Sequence, residues 1–294
     1  MFELFFIASA AFIIVLLTKP WKNAKAKKFR PVPTPQRWKD ILNKYVNFYR
    51  NLDDVQKLQF ESDVQRFLSE VRITGVRTNV ELTDRLLVAS SAVVPLFGFP
   101  AWNYSGLDEV LLYPSPFDRR FRIESRTENI TGMVGEGHLD GKVIFSKPDL
   151  RRGFEIFNDK NNVGYHEFVH LFDKESGLID AVPPGFNHEY YSLPWLAFVR
   201  KKIREIEKGE SDIHPYGATE EVEFFAVASE YFFERPNLLK EKHPRLYHSL
   251  QKIFNQDMTA IIKRKSFQKQ KTPGRNDRCL CGSGQKYKHC CGGA

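Results

Sequence analysis

The stretch Gly164-Tyr165-His166-Glu167-Phe168-Val169-His170-Leu171-Phe172-Asp173 decides how the rest of the chain is read. It suits a helix, with Asn161 and Asn162 available to cap its start and Gly177 to stop it. On a helix, positions i and i+4 share a face one turn apart, so the imidazoles of His166 and His170 can hold one zinc ion. Glu167 is turned about 100° from His166 and falls beside the metal rather than on it. A base that activates water has to stand there.

A His-Glu-x-x-His string arises by chance often enough that it needs a further protein ligand beside it. The downstream stretch Tyr216-Gly-Ala-Thr-Glu-Glu-Val-Glu-Phe-Phe-Ala-Val-Ala-Ser-Glu230 offers two. Thr219 is placed to cap a helix, and Glu220 and Glu221 suit its first turn, where the dipole favours negative charge. Glu223 and Glu230 stand seven apart on one face, among Phe224, Phe225, Ala226, Val227 and Ala228. Acidic side chains on so apolar a helix are costly unless paired or coordinated. Spacing does not choose between them.

Around these motifs, 294 residues that are 42% hydrophobic and include 25 Phe can bury one good core and carry small appendages. Helical patterns cover Gln36–Arg50 and Asp53–Glu70, the second through Phe60, Val64, Phe67 and Leu68. Val71–Val76, Val110–Tyr113 and Lys142–Ser146 read as strands. An apolar helix over Asp84–Val94 is expected to end at Pro95. Further helices are expected over 161–176, 192–208, 219–234 and about 243–264. Strands early and helices late predict an α+β metallopeptidase domain over 36–262, mostly helical with a small sheet. Lys142–Ser146 offers an edge to which an extended peptide can add.

The two ends differ from the body. Phe2 to Thr18 is apolar apart from Glu3, and seventeen residues at 1.5 Å rise reach roughly 26 Å. With local thinning that crosses a bilayer core of about 30 Å, so residues 1–18 are expected to be a transmembrane anchor. No basic residue precedes the run, as a cleaved signal would require, and Lys19, Lys22, Lys25, Lys27, Lys28 and Arg30 follow it. The positive-inside bias then gives a single-pass membrane protein with its catalytic domain in the cytoplasm. Residues 19–35 form a basic linker ending in Pro31-Val-Pro-Thr-Pro35, and 263–274 a second basic linker. The net charge of +8 therefore sits at the ends and leaves the centre mildly acidic, which argues against direct nucleic-acid binding.

All four cysteines lie in the last piece, 275–294, as Cys279-x-Cys281-x8-Cys290-Cys291. Disulfide frameworks spread cysteines through a fold, whereas this clustering reads as metal binding in a reducing compartment. Four thiolates close a tetrahedral structural zinc site, with Gly282-Ser283-Gly284 making the turn. So short a piece has no core and depends on the metal to fold.

Residues from about 36 to 262 resemble the Mlc titration factor A family of zinc peptidases, also described as DgsA anti-repressors. The pieces that match are His166-Glu-Phe-Val-His170 with Leu-Phe-Asp173, and Gly177-Leu-Ile-Asp180 with Val182-Pro-Pro184. Tyr216-Gly-Ala-Thr219, Glu223-Phe-Phe-Ala226, Ser229-Glu-Tyr-Phe-Phe-Glu-Arg-Pro236 and Leu111-Leu-Tyr-Pro114 complete them. The resemblance implies a gluzincin in which Glu223 is the third zinc ligand and Tyr216 steadies the oxyanion. The implied reaction is metal-assisted amide hydrolysis of a peptide or protein, with Glu167 as general base. Asp173 and Glu230 are candidates to orient the histidines, a plain packing role being equally open for each. Of the remaining histidines, only His214, two before Tyr216, invites a test. The cysteine piece resembles the SEC-C motif at the tail of the SecA motor, which implies a second, structural zinc and a handle for a protein partner. The family's anti-repressor name adds a transcriptional regulator as an expected partner.

Overall fold

Apolar side chains from helices and a small sheet meet in one large core, and the sheet orders the elements around it. The structure, a computed structural model, describes residues 29–100, 103–104, 106–123, 129–175, 188–267, 286 and 288. The chain divides into two compact units, residues 1–31 and 32–294, and everything below lies in the second.

Among the described residues four strands form one sheet: β1 (Arg72–Gly75), β2 (Glu109–Tyr113), β3 (Gly132–Val134) and β4 (Lys142–Ser146). Their order is β1-β2-β4-β3. The pairs β1–β2 and β2–β4 are parallel, and β3 closes one edge antiparallel to β4. Val110 pairs with Val143 and Leu112 with Phe145, and all four point into the main core. The alternate positions Tyr113 and Ile144 join Phe117 in a smaller cluster on the other face. Apolar cover on both faces explains why these strands read as continuous apolar runs.

Helices supply the rest. The pattern expected as one helix over 36–50 is two, α1 (Gln36–Tyr45) and α2 (Asn47–Asn51), broken where Val46 turns extended and buries its side chain. α3 (Asp54–Glu70) opens on a capping box in which Asp53 and Gln56 exchange bonds. α4 (Leu82–Leu96) runs through Pro95 instead of ending before it. The ring sits in the last turn, and Gln256 Nε2 donates to the carbonyls of Val94 at 2.8 Å and Pro95 at 3.3 Å. α5 (Lys147–Glu155), α6 (Val163–Glu175), α7 (His188–Glu207) and α8 (Glu221–Glu234) follow. The single helix expected over 243–264 is two, α10 (Pro244–Ile253) and α11 (Met258–Phe267), and a further short helix, α9 (Pro236–Lys242), precedes them. Pro236 and Pro244 each open a helix, where the missing N–H costs nothing.

The expected membrane anchor is corrected. The described chain is mostly helical with a small mixed sheet, and no helix among the described residues is long and apolar enough to cross a membrane. Even α7, with 20 residues, carries Arg200, Lys201, Lys202, Arg204 and Glu205, which a bilayer core disfavours. Residues 1–18, to which the anchor was assigned, lie outside the described residues. A transmembrane helix, and with it the single-pass placement of the catalytic domain on the cytoplasmic side, is not supported.

Candidate metal centre

The helix that carries the histidines is capped by Asn162, whose Oδ1 accepts the Tyr165 N–H at 3.1 Å. Gly164 lets α6 lie tight against α4, since a β-carbon there would stand 2.1 Å from Ser91 Oγ. Phe168, Val169 and Phe172 bury one side of α6 in the core. His166 and His170, one turn apart, come together with carboxylates of α8.

Three ligand atoms meet. His166 Nε2 lies 3.1 Å from His170 Nε2 and 3.0 Å from Glu223 Oε2, and His170 Nε2 lies 3.5 Å from the same oxygen. His166 Nδ1 lies 2.8 Å from Glu230 Oε1. A neutral imidazole has one N–H, and the carboxylate of Glu230 can only accept, so that hydrogen belongs on Nδ1. Nε2 then turns a lone pair toward a carboxylate oxygen and a second imidazole, which repel it unless a positive charge sits among them. Burial opposes a charge on His166, but hydrogen bonds to Glu223 and Glu230 outweigh it and raise the imidazole well above its ordinary value. Zinc bonds of 2.0–2.2 Å in a tetrahedron separate ligand atoms by about 3.3–3.5 Å. The donor set suits such an ion: His166, His170 and Glu223 each offer one ligand atom, all within 4.8 Å of one another.

The two acids that spacing left open thus stand on different sides of His166, Glu223 at Nε2 and Glu230 at Nδ1. Glu223 falls in the first turn of α8 because Thr219 does not cap that helix. Thr219 Oγ1 instead donates to the Tyr216 carbonyl at 2.8 Å, closing a short 3-10 turn over Pro215–Ala218, and Glu220 takes the cap position. His214 starts the same turn, its Nδ1 accepting the Tyr216 N–H at 3.3 Å.

Glu167 is 6% exposed. Burial raises its carboxyl, His166 and His170 pull it back, and Glu223 and Glu230 push it up again. Tyr216 is 49% exposed, with its ring 5.9 Å from that of His166. Burial, then the charges of Glu223 and Glu167, lifts the phenol above its ordinary value. Asp173 is buried and, with His166, Glu167, His170, Tyr216 and Glu223, lines a cavity of about 1020 Å³. Cys279, Cys281, Cys290 and Cys291 lie outside the described residues.

Sequence reading missed β3. It is three residues long with a glycine at one end, too short to show alternation, yet it lines the cavity. Lys142–Ser146, expected to offer a free edge, is β4 and is paired on both sides by β2 and β3. Among the described residues the edge strands are β1 and β3, and β3 is the one that lines the cavity.

Over residues 19–255 the sequence matches the glucose-regulated metallo-peptidase M90 family. The chain belongs to that family. As an M90 peptidase it also carries a SEC-C motif, matched over residues 275–293. An uncharacterized protein of Synechocystis sp. is 31% identical over 246 residues, covering 80% of this chain and 89% of the relative. Mlc titration factor A of Pectobacterium atrosepticum is 25% identical, covering 83% and 93%, and that of Serratia proteamaculans is 25% identical, covering 83% and 95%. The resemblance to Mlc titration factor A with a SEC-C tail therefore holds over most of the chain.

Proposed function

We propose that this M90 family member is a zinc-dependent peptidase whose domain, residues 36–262, holds the metal through His166, His170 and Glu223. The observation that carries the reading is the convergence of these three ligand atoms beside a buried glutamate, in a cavity bordered by a free strand edge. Zinc, when bound, supplies Lewis acidity: it polarises a carbonyl and acidifies water. The chain's own groups do the rest. Glu230 holds the Nδ1 hydrogen of His166 and so keeps Nε2 available as a ligand. Glu167 takes a proton from the attacking water and passes it to the leaving amine; its raised pKa suits it to hold that proton in between. Tyr216 donates a hydrogen bond to the tetrahedral oxygen. The free edge of β3 offers backbone groups to an extended peptide.

In this reading Asp173 is a buried acid of the cavity wall that supports the histidines. Cys279, Cys281, Cys290 and Cys291 hold a second, structural zinc in the tail 275–294, joined through the basic linker 263–274. That tail is a handle for a protein partner. The test is hydrolysis of a peptide mixture by the full chain, chelated and then resupplied with zinc. Activity that returns with zinc, and is absent in His170→Ala, supports the reading; hydrolysis that survives chelation contradicts it.

The names of the relatives favour a second reading, in which the chain binds a transcriptional regulator and hydrolysis is secondary. Binding to such a regulator that persists in Glu167→Gln supports it, and no binding in either form removes it.

A further inference from the structure

α8 carries three acids on the side that meets α6 and the loop before it: Glu223, Glu230 and, one turn further on, Glu234. Glu234 has no part in the reading above. It is buried at the end of a run of buried, mostly apolar residues, and among the described residues no cation pairs with it. Burial, with the nearby charges of Asp159 and Glu230, pushes its carboxyl up to about 8. A buried acid in that position is retained at a cost, so what it holds matters.

It holds the loop that leads into α6. Its Oε2 accepts the Lys160 N–H at 2.9 Å, and its Oε1 lies 3.4 Å from Asn162 Nδ2. Lys160 has a φ of 68°, a left-handed conformation that a side-chain-bearing residue keeps only when its surroundings enforce it. Asn162 is the joint. Its Nδ2 donates to the Gly153 carbonyl at 2.9 Å, and its Oδ1 caps α6. Its backbone N–H donates to Glu230 Oε2, and the other oxygen of Glu230 meets His166 Nδ1. Gly153 leaves Asn162 no slack, since a β-carbon there would stand 3.0 Å from its Cγ.

We propose that Glu234 is a positioning residue: by fixing the Lys160–Asn162 loop it sets the Asn162 N–H that orients Glu230, and through Glu230 it sets His166. This rests on the metal site proposed for His166, His170 and Glu223. The path is continuous hydrogen bonding from α8 to the loop, back to α8 and across to α6. Glu234 touches neither the ligands nor the cavity, so its effect is read in metal affinity rather than in contact with substrate.

The experiment is zinc affinity of the full chain, measured by competition with a chelator, alongside the melting temperature of the metal-free protein. The zinc that wild type binds and His166→Ala does not is the zinc of this site. Glu234→Ala is expected to weaken that zinc by about ten- to a hundredfold, the range found when groups that orient a metal ligand are lost. Glu234→Gln, which matches a neutral carboxyl in shape and keeps an acceptor, is expected to restore most of it. Combined with Glu230→Ala, the Glu234→Ala change is expected to add little, because both act through the same bond to His166. Glu61→Gln, a buried acid bonded to Tyr49, serves as control: it lowers the melting temperature and leaves zinc affinity alone. If Glu234→Ala does not fold, Glu234→Leu keeps the volume, removes both acceptors and carries the same expectation. Wild-type zinc affinity in a folded Glu234→Ala or Glu234→Leu protein, or a full additional loss in the Glu230→Ala background, overturns the proposal. If wild type and His166→Ala bind the same amount of zinc, the metal site fails first and takes this proposal with it.

Discussion

Gly132 of the edge strand lies directly against Glu167, so close that a β-carbon would stand 2.6 Å from Glu167 Oε1 and 2.5 Å from Val163 Cγ2. Both neighbours belong to α6, and Glu167 is buried, so neither can step aside freely. Gly132→Ala is expected to displace the Glu167 carboxylate and to lower kcat by about a hundredfold, the scale of a displacement near 1 Å. KM and zinc content should change little. Steady-state kinetics on the folded variant check this, and unaltered kcat would show that the close packing does not set the base.

Tyr216→Phe separates the ring from its hydroxyl. The ring is half exposed and bears little of the core, so the variant is expected to fold as wild type does. Loss of one donor to the tetrahedral oxygen should cost about a hundredfold in kcat with KM nearly unchanged. Equal kcat in the two proteins would remove Tyr216 from the chemistry.

How much of this was legible in the sequence depended on the kind of signal. His166, Glu167 and His170 sit at helical spacing in one short string, so their shared face follows from periodicity alone. Glu223 and Glu230 have the same spacing relation to the helix, and which nitrogen of His166 each meets depends on how α8 packs on α6. The hand-off from Glu234 through Asn162 to Glu230 crosses about seventy residues of chain and left no local pattern. Helix ends failed for tertiary reasons also: α4 runs past the residue where Pro95 was expected to stop it, and Gln256, remote in sequence, donates to the carbonyls of its last turn.

Stability should fall with rising pH on account of Glu234. Its folded pKa of about 8 lies above the ordinary 4.5, so the folded state keeps a proton that the unfolded chain loses first. The contribution is complete below pH 4.5 and is lost as pH rises toward about 8. Glu234→Gln cannot ionise and is expected to flatten stability over that window. Urea midpoints of the two proteins at several pH values between those limits check it; parallel curves would contradict the assignment.

Phe254 ties the C-terminal helices to the metal helix. Its ring packs at 5.3 Å from Phe172, 5.8 Å from Phe225 and Phe232, and 4.9 Å from Phe233. Phe254→Ala is expected to cost about 3–5 kcal/mol, because so dense a cluster cannot collapse into the cavity left behind. Denaturant unfolding measures it, and a loss below about 1 kcal/mol would mean that the cluster relaxes.

The most direct test of the peptidase account is Glu167→Gln in the full chain, with zinc content and peptide hydrolysis measured on the same preparation. Gln keeps the shape of the side chain, and position 167 is not among the three residues, His166, His170 and Glu223, that offer ligand atoms. The account predicts zinc content equal to wild type and hydrolysis reduced to background. Hydrolysis at the wild-type rate with zinc retained would contradict it.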